Sequence, residues 1–203
     1  ENSMINPTNR YKKIFGNYWR SVDQKIADLI LKHLDVETES AYEVGFGSGH
    51  YMAFLKDIGV NVSGTEIRKK AYQDVVNKFK NVYGDIELNN YDIMEECKFH
   101  DMAYSTGLIQ CLKPKEREVL ISHIADISDK VVYVVPVIQK MRNIGSETDV
   151  AVDGCEEYET GIIAYQLSKK YAYVETGFWN RDEIELTDDF QWFYCDNKRI
   201  KLG

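Results

Sequence analysis

The order of apolar and polar positions alternates between two periodicities along this chain. Val22, Ile26, Leu29, Ile30 and Leu34 recur at helical spacing over residues 21–34, with Ser21 placed to cap the helix. Ahead of them stands an aromatic cluster of Tyr11, Phe15, Tyr18 and Trp19. Residues 41–44 make a short strand running into glycines, and residues 49–58 read as a helix that stops near Gly59. A second strand over residues 60–67, a helix over 68–79, a third strand over 86–94 and a short fourth strand over 101–105 follow. Pro114 opens the next helix, since a first turn tolerates proline, and Val119, Leu120, Ile121 and Ile124 are expected to face inward. Residues 131–135 are almost continuously apolar, the pattern of a parallel strand buried on both faces. Residues 137–156 are polar and mixed, like a loop or lid; 158–169 fit a helix; 171–179 and 190–195 fit two strands around an acidic turn.

Strand and helix therefore alternate five times before a closing strand pair. That order predicts an α/β, doubly wound, mostly parallel sheet of seven strands with one antiparallel strand near the C-terminus. The length of 203 residues suits one domain spanning 1–203, large enough to bury a core without disulfides.

Composition narrows the class. No apolar run approaches a membrane span, and residues 1–20 lack the basic-then-apolar order of a signal peptide. Cys97, Cys111, Cys155 and Cys195 are widely spaced, which argues against a zinc site and for free thiols in a reducing, cytoplasmic setting. No metal site is expected. The net charge of -8 disfavours nucleic acid as a general partner. Nothing in the sequence fixes the oligomeric state.

Three features fall at the ends of successive strands. The first is Gly45-Phe46-Gly47-Ser48-Gly49 between a strand and a helix, where a doubly wound sheet holds its ligand and a helix N-terminus offers N–H groups to an anion. The second is Glu66, 21 residues after Gly45, close to the spacing of an acid that accepts from ribose hydroxyls. The third is Asp92-Ile93, where an acid can accept from an adenine amino group. Asp85 after Gly84 competes for that role, and Asp92 is preferred because residues 86–91 read as the strand leading into it.

Together these residues resemble class I S-adenosylmethionine-dependent methyltransferases. Glu43-x-Gly45-x-Gly47-x-Gly49 resembles their first motif and Gly64-Thr65-Glu66-Ile67 their second. Residues 99–109 resemble their fourth-strand motif, and the strand pair their sixth and seventh strands, so the likeness covers about residues 35 to 195. It implies a Rossmann-like fold and S-adenosylmethionine as cofactor. By this resemblance Gly45, Gly47 and Gly49 pack under the methionine part, Phe46 of the same loop also binds the cofactor, and Glu43 acts near its amino group. Glu66 holds the ribose, Ile67 lies against adenine, Asp92 and Ile93 address the adenine edge, and Ser105 and Thr106 border the methyl group. Residues 1–34 would form an N-terminal helical cap, from which Tyr11, Tyr18 and Trp19 either close over the site or staple the first helix.

The acceptor is less legible. Ser105-Thr106-Gly107-Leu108 stands where enzymes that methylate nucleobase amines carry an Asn/Asp-Pro-Pro-aromatic signature. Pro136 and a variable insert at 137–157, with Glu156-Glu157-Tyr158, resemble the small-molecule enzymes. A small-molecule acceptor is therefore expected. The competing readings are a protein, peptide or RNA acceptor, a non-catalytic protein of the same fold, and an NAD-dependent oxidoreductase. The oxidoreductase pattern Gly-x-Gly-x-x-Gly would need glycine where His50 stands. His50 reads as a polar residue starting a helix, and no residue declares itself as a general base, so no catalytic residue is assigned.

Overall fold

The structure, a computed structural model, describes residues 6–34, 40–137, 160–186 and 189–198. These form two compact units, divided between Glu95 and Glu96.

The first unit opens with α1 (Asn9–Phe15) and α2 (Ser21–His33), continues through β1 (Ser40–Val44), α3 (His50–Asp57), β2 (Asn61–Thr65) and α4 (Lys69–Lys80), and closes with β3 (Glu87–Asn89) and a 3-10 turn at Ile93–Glu95. The strands pair in parallel, with Ala41 beside Val62 and Gly64 beside Leu88. Alternation along β1 does not apply: residues 41–44 are all buried, as in a strand covered on both faces. Fully buried Met52, Phe54 and Leu55 of α3 and Ile26 and Ile30 of α2 supply the apolar packing of this unit.

Three local expectations change here. Ser21 is the first helical residue of α2; Arg20 is the cap, and Asp23 reaches back to accept from the Arg20 N–H at 2.9 Å. The aromatic cluster includes a helix of its own, α1, whose first turn is capped by Thr8 Oγ1 accepting from Arg10 and Tyr11. The third strand, expected over 86–94, is only Glu87–Asn89. Beyond it Asn90 and Asp92 bond to backbone groups through their side chains, which competes with a sheet ladder.

The second unit contains β4 (His100–Thr106), α5 (Pro114–Ile127), β5 (Ser128–Val137), α6 (Thr160–Lys170), β6 (Tyr173–Trp179), α7 (Arg181–Ile184) and β7 (Asp189–Asp196). β4 and β5 are parallel, whereas β7 lies antiparallel between β5 and β6. Residues 131–135 of β5 are wholly buried, as their apolar run predicts. Trp192 packs against Gly177 of β6, where a Cβ would come within 2.6 Å of its ring. Val119 of α5 is 56% exposed, against expectation; Leu120, Ile121 and Ile124 form the inward stripe and Val119 falls beyond its edge.

Among the described residues the sheet has seven strands in the order β3-β2-β1-β4-β5-β7-β6, with β7 the single antiparallel strand. This is the α/β, Rossmann-like, mostly parallel sheet expected from the sequence. Of the insert at 137–157, only Val137 is described, and Glu156, Glu157 and Tyr158 lie outside the described residues.

Candidate functional site

The glycine loop leaves β1 at Val44 and enters α3 at His50. Gly45, Gly47 and Gly49 all have positive φ, at 71°, 54° and 75°. The loop is tied to the end of β2, because the Gly45 and Phe46 N–H groups both donate to the Thr65 carbonyl, at 2.9 and 3.2 Å. Gly49 meets a second constraint: a Cβ there would lie 3.0 Å from Phe79 Cζ and 3.1 Å from Val75 Cγ1, both on α4. Gly64 on β2 allows a still closer approach, since its Cβ would stand 2.7 Å from the Glu43 carbonyl oxygen. Glu43 itself is buried at the end of β1, and Phe46 is a buried member of the loop.

Glu66 follows β2 directly and is 3% exposed. Its Oε2 accepts from the Gly47 N–H at 2.9 Å, which joins the second motif to the first. Oε1 accepts from the Arg68 N–H and Nε, both at 2.9 Å, and the Arg68 Nη2 reaches Oε2 at 3.2 Å. Burial raises the pKa of this carboxyl, but the Arg68 guanidinium and the two backbone N–H groups outweigh it and hold the group below its ordinary value. Asn90 fixes the same segment, its side-chain amide donating to the Glu66 carbonyl at 2.7 Å and the Ile67 carbonyl at 3.2 Å. The Ile67 side chain is left 63% exposed.

Asp92 and Asp85 stand at opposite ends of β3. That strand runs parallel to β2, so Asp92 follows it at the end where Glu66 follows β2, whereas Asp85 precedes it. Asp92 is exposed and its Oδ1 accepts from the Met94 N–H at 3.0 Å, starting the 3-10 turn in which Ile93 is buried.

The N-terminal residues divide. Tyr11, expected as one of two tyrosines over the cofactor, is completely buried, and its hydroxyl donates to the Tyr18 carbonyl at 2.7 Å. It is a core residue that fixes the segment after α1. Tyr18 remains half exposed and meets the His50 ring edge-on, 5.7 Å between centroids. Trp19 stacks on Phe54 at 4.6 Å.

Sequence reasoning passed over the residue that organises this corner. Asp23 is fully buried and accepts from Arg20 Nε at 3.0 Å, Arg20 Nη2 at 2.9 Å and the Tyr51 hydroxyl at 2.6 Å, with His50 Nε2 at 3.3 Å. The other His50 nitrogen, Nδ1, is 2.8 Å from Ser48 Oγ. Burial raises the Asp23 pKa, yet the hydrogen bonds from His50 and Arg20 hold it well below the ordinary carboxyl range. Helix α2 is thereby bonded to the glycine loop through side chains. The available signal was Arg20-x-x-Asp23 ahead of an apolar periodic run, a capping pattern. Arg68 and Asn90 carried no comparable sequence signal.

In the second unit, Ser105 and Thr106 end β4, opposite Tyr133 and Val134 of β5. Ser105 is buried and Thr106 half-buried. The chain then turns at Gly107, φ 68°, whose N–H donates to the Val134 carbonyl at 2.9 Å. Among the described residues no group of three or more His, Cys, Asp or Glu is disposed to hold a metal ion, and no helix is long and apolar enough to cross a membrane.

The arrangement fits an adenosine-bearing cofactor on two observations. The glycine loop presents backbone, and a buried carboxylate is bonded to that loop. No protein-family model matches the chain, and no curated protein does. Solved structures do. Magnesium protoporphyrin IX methyltransferase (ChlM) from Synechocystis PCC 6803 with bound SAH is 16% identical, with 93% of each chain covered and a TM-score of 0.66. The N-terminal domain of EvdMO1 with SAH bound is 12% identical, covering 86% of this chain and 80% of that one, TM-score 0.62. The mitomycin 7-O-methyltransferase MmcR is 14% identical, covering 86% of this chain and 54% of that one, TM-score 0.62. The fold is that of the class I S-adenosylmethionine-dependent methyltransferases.

Proposed function

We propose that this protein is an S-adenosylmethionine-dependent methyltransferase whose acceptor is a small molecule. The observation that carries the reading is the bond from the Gly47 N–H to Glu66, which makes a glycine loop and a buried acid parts of one site. The fold supports it, as do the small-molecule methyltransferases among the solved structures of that fold.

In this reading Gly45, Phe46, Gly47 and Gly49 cradle the methionine part of the cofactor, and Glu43 acts near its amino group. Glu66 accepts from the ribose hydroxyls, Ile67 covers the adenine, and Asp92 with the Ile93 backbone addresses the adenine edge. Asp92 is preferred to Asp85 because it shares an end of the parallel strands with Glu66. Ser105 and Thr106 keep the role toward the methyl group that the resemblance implies. Tyr18 is the N-terminal residue proposed to close on the cofactor; Tyr11 supports it from beneath through its hydrogen bond to the Tyr18 carbonyl.

The bound cofactor supplies a methyl group on a sulfonium, a leaving group already activated by its charge. The chain's part is to hold the reactants in line, a proximity effect that supplies about 7–11 kcal/mol. A soluble, cytoplasmic setting and a single domain with a cap at 1–34 and a substrate-side insert at 137–157 complete the proposal. Incubation with methyl-labelled S-adenosylmethionine and a cell extract separated into metabolite, protein and RNA fractions tests it. Label in a small-molecule fraction is expected; label confined to a protein or RNA fraction overturns the acceptor class.

A further inference from the structure

We infer that Arg68 is an internal occupant of the ribose position, and that its exchange for a vicinal diol sets the affinity of the cofactor site. The inference rests on the reading of Glu66 as the ribose acid. A carboxylate offers about four lone-pair positions. Those of Glu66 are met by the Gly47 N–H, the Arg68 N–H, and the Arg68 Nε and Nη2. The two backbone bonds are built into the loop and into the start of α4, where Arg68 is the cap residue. The two guanidinium bonds are the only ones a side-chain rotation can release. A ribose presents two adjacent hydroxyls, the same number of donors that Arg68 Nε and Nη2 place on the two oxygens.

The position of the guanidinium agrees. A Cβ on Gly47 would lie 3.6 Å from Arg68 Nη2, so the guanidinium lies over the glycine loop itself. The Arg68 side chain is 69% exposed, whereas that of Glu66 is 3% exposed. The arginine therefore covers the carboxylate from the solvent side and is free to leave into water. Only the arginine end of the pair is exposed, and a solvated guanidinium regains water when it leaves, so its release costs little beyond the two bonds it gives up. The two backbone N–H groups stay on Glu66 when the guanidinium leaves, but its other two positions on a buried carboxylate are costly to leave unfilled, so one set of donors or the other is favoured there. Arg68 pairs the acid through two bonds, and a ligand with two suitably placed hydroxyls replaces both.

The test is titration of S-adenosylhomocysteine into the full chain, unsubstituted and as Arg68→Ala and Arg68→Lys, with thermal unfolding measured beside it. Lysine keeps the charge but cannot bridge both oxygens. Arg68→Ala should bind about two- to fivefold more tightly, the scale of a weak ion pair that binding no longer has to break, and Arg68→Lys should fall between. The unliganded Arg68→Ala protein should melt slightly lower, while the upward shift caused by S-adenosylhomocysteine should grow. A residue that merely stabilises the loop would lower both. Unchanged or weaker binding by Arg68→Ala, with the unsubstituted protein binding normally, overturns the inference and leaves the cofactor reading intact. No binding by any of the three proteins overturns both.

Discussion

The Gly47 N–H donates to Glu66 Oε2 across 2.9 Å, linking the turn after β1 to the exit of β2. Glu66→Ala removes that acceptor as well as the proposed ribose contact. S-adenosylhomocysteine binding should weaken by roughly 1.5–3 kcal/mol, the scale of hydrogen bonds to a charged group. Calorimetric titration checks it, and an unchanged affinity would place the ribose elsewhere.

Asp92→Ala and Asp85→Ala should behave differently. Asp92 lies beyond the carboxyl end of β3 and Asp85 before its start, so only Asp92→Ala should weaken S-adenosylhomocysteine binding. Equal losses, or a loss confined to Asp85→Ala, would reverse the assignment. Circular dichroism of both variants separates a binding effect from loss of the 3-10 turn that Asp92 caps.

Asp23 controls stability through a buried charge. Asp23→Ala strands the Tyr51 hydroxyl and His50 and leaves Arg20 without its partner. The loss should be about 3 kcal/mol, the low end for breaking a buried pair, measured as the urea midpoint. The pH dependence has a definite sign. The folded-state pKa of Asp23 lies below the ordinary value of 3.8, so its stabilisation is fully present above about that pH and is lost as pH falls through the folded value. The unsubstituted protein should therefore lose stability below pH 3.8 more steeply than Asp23→Asn; parallel acid profiles would contradict this.

Glycine substitutions separate two kinds of close packing. Gly49→Ala brings a Cβ within 3.0 Å of Phe79 Cζ and imposes positive φ on alanine, a cost of about 1–3 kcal/mol. Gly64→Ala directs its Cβ at the Glu43 carbonyl, 2.7 Å away, where the obstacle is backbone and cannot rotate aside. Thermal unfolding should rank Gly64→Ala as the more damaging.

The sequence made the sheet legible because buried parallel strands have a plain signature. Residues 131–135 are apolar throughout and rich in β-branched valine, the pattern of an interior strand, and the glycine loop and Glu66 mark the ends of β1 and β2. The β3 region misled, since the apolar residues between 86 and 94 suggest a long strand while Asn90 and Asp92 turn the chain out of it. The N-terminal corner was half legible. Its aromatics stand out, but which tyrosine is buried depends on a hydrogen bond to the Tyr18 carbonyl that no spacing predicts. Arg68 was invisible for a similar reason: one exposed arginine two residues after an acid is ordinary in a sequence. Only the saturated oxygens of Glu66 give it meaning.

Calorimetric titration of the full chain with S-adenosylhomocysteine, and separately with NAD, decides the identity of the cofactor. Saturable heat is expected with S-adenosylhomocysteine in the micromolar range and none with NAD. Clear heat with NAD and none with S-adenosylhomocysteine would contradict the methyltransferase reading.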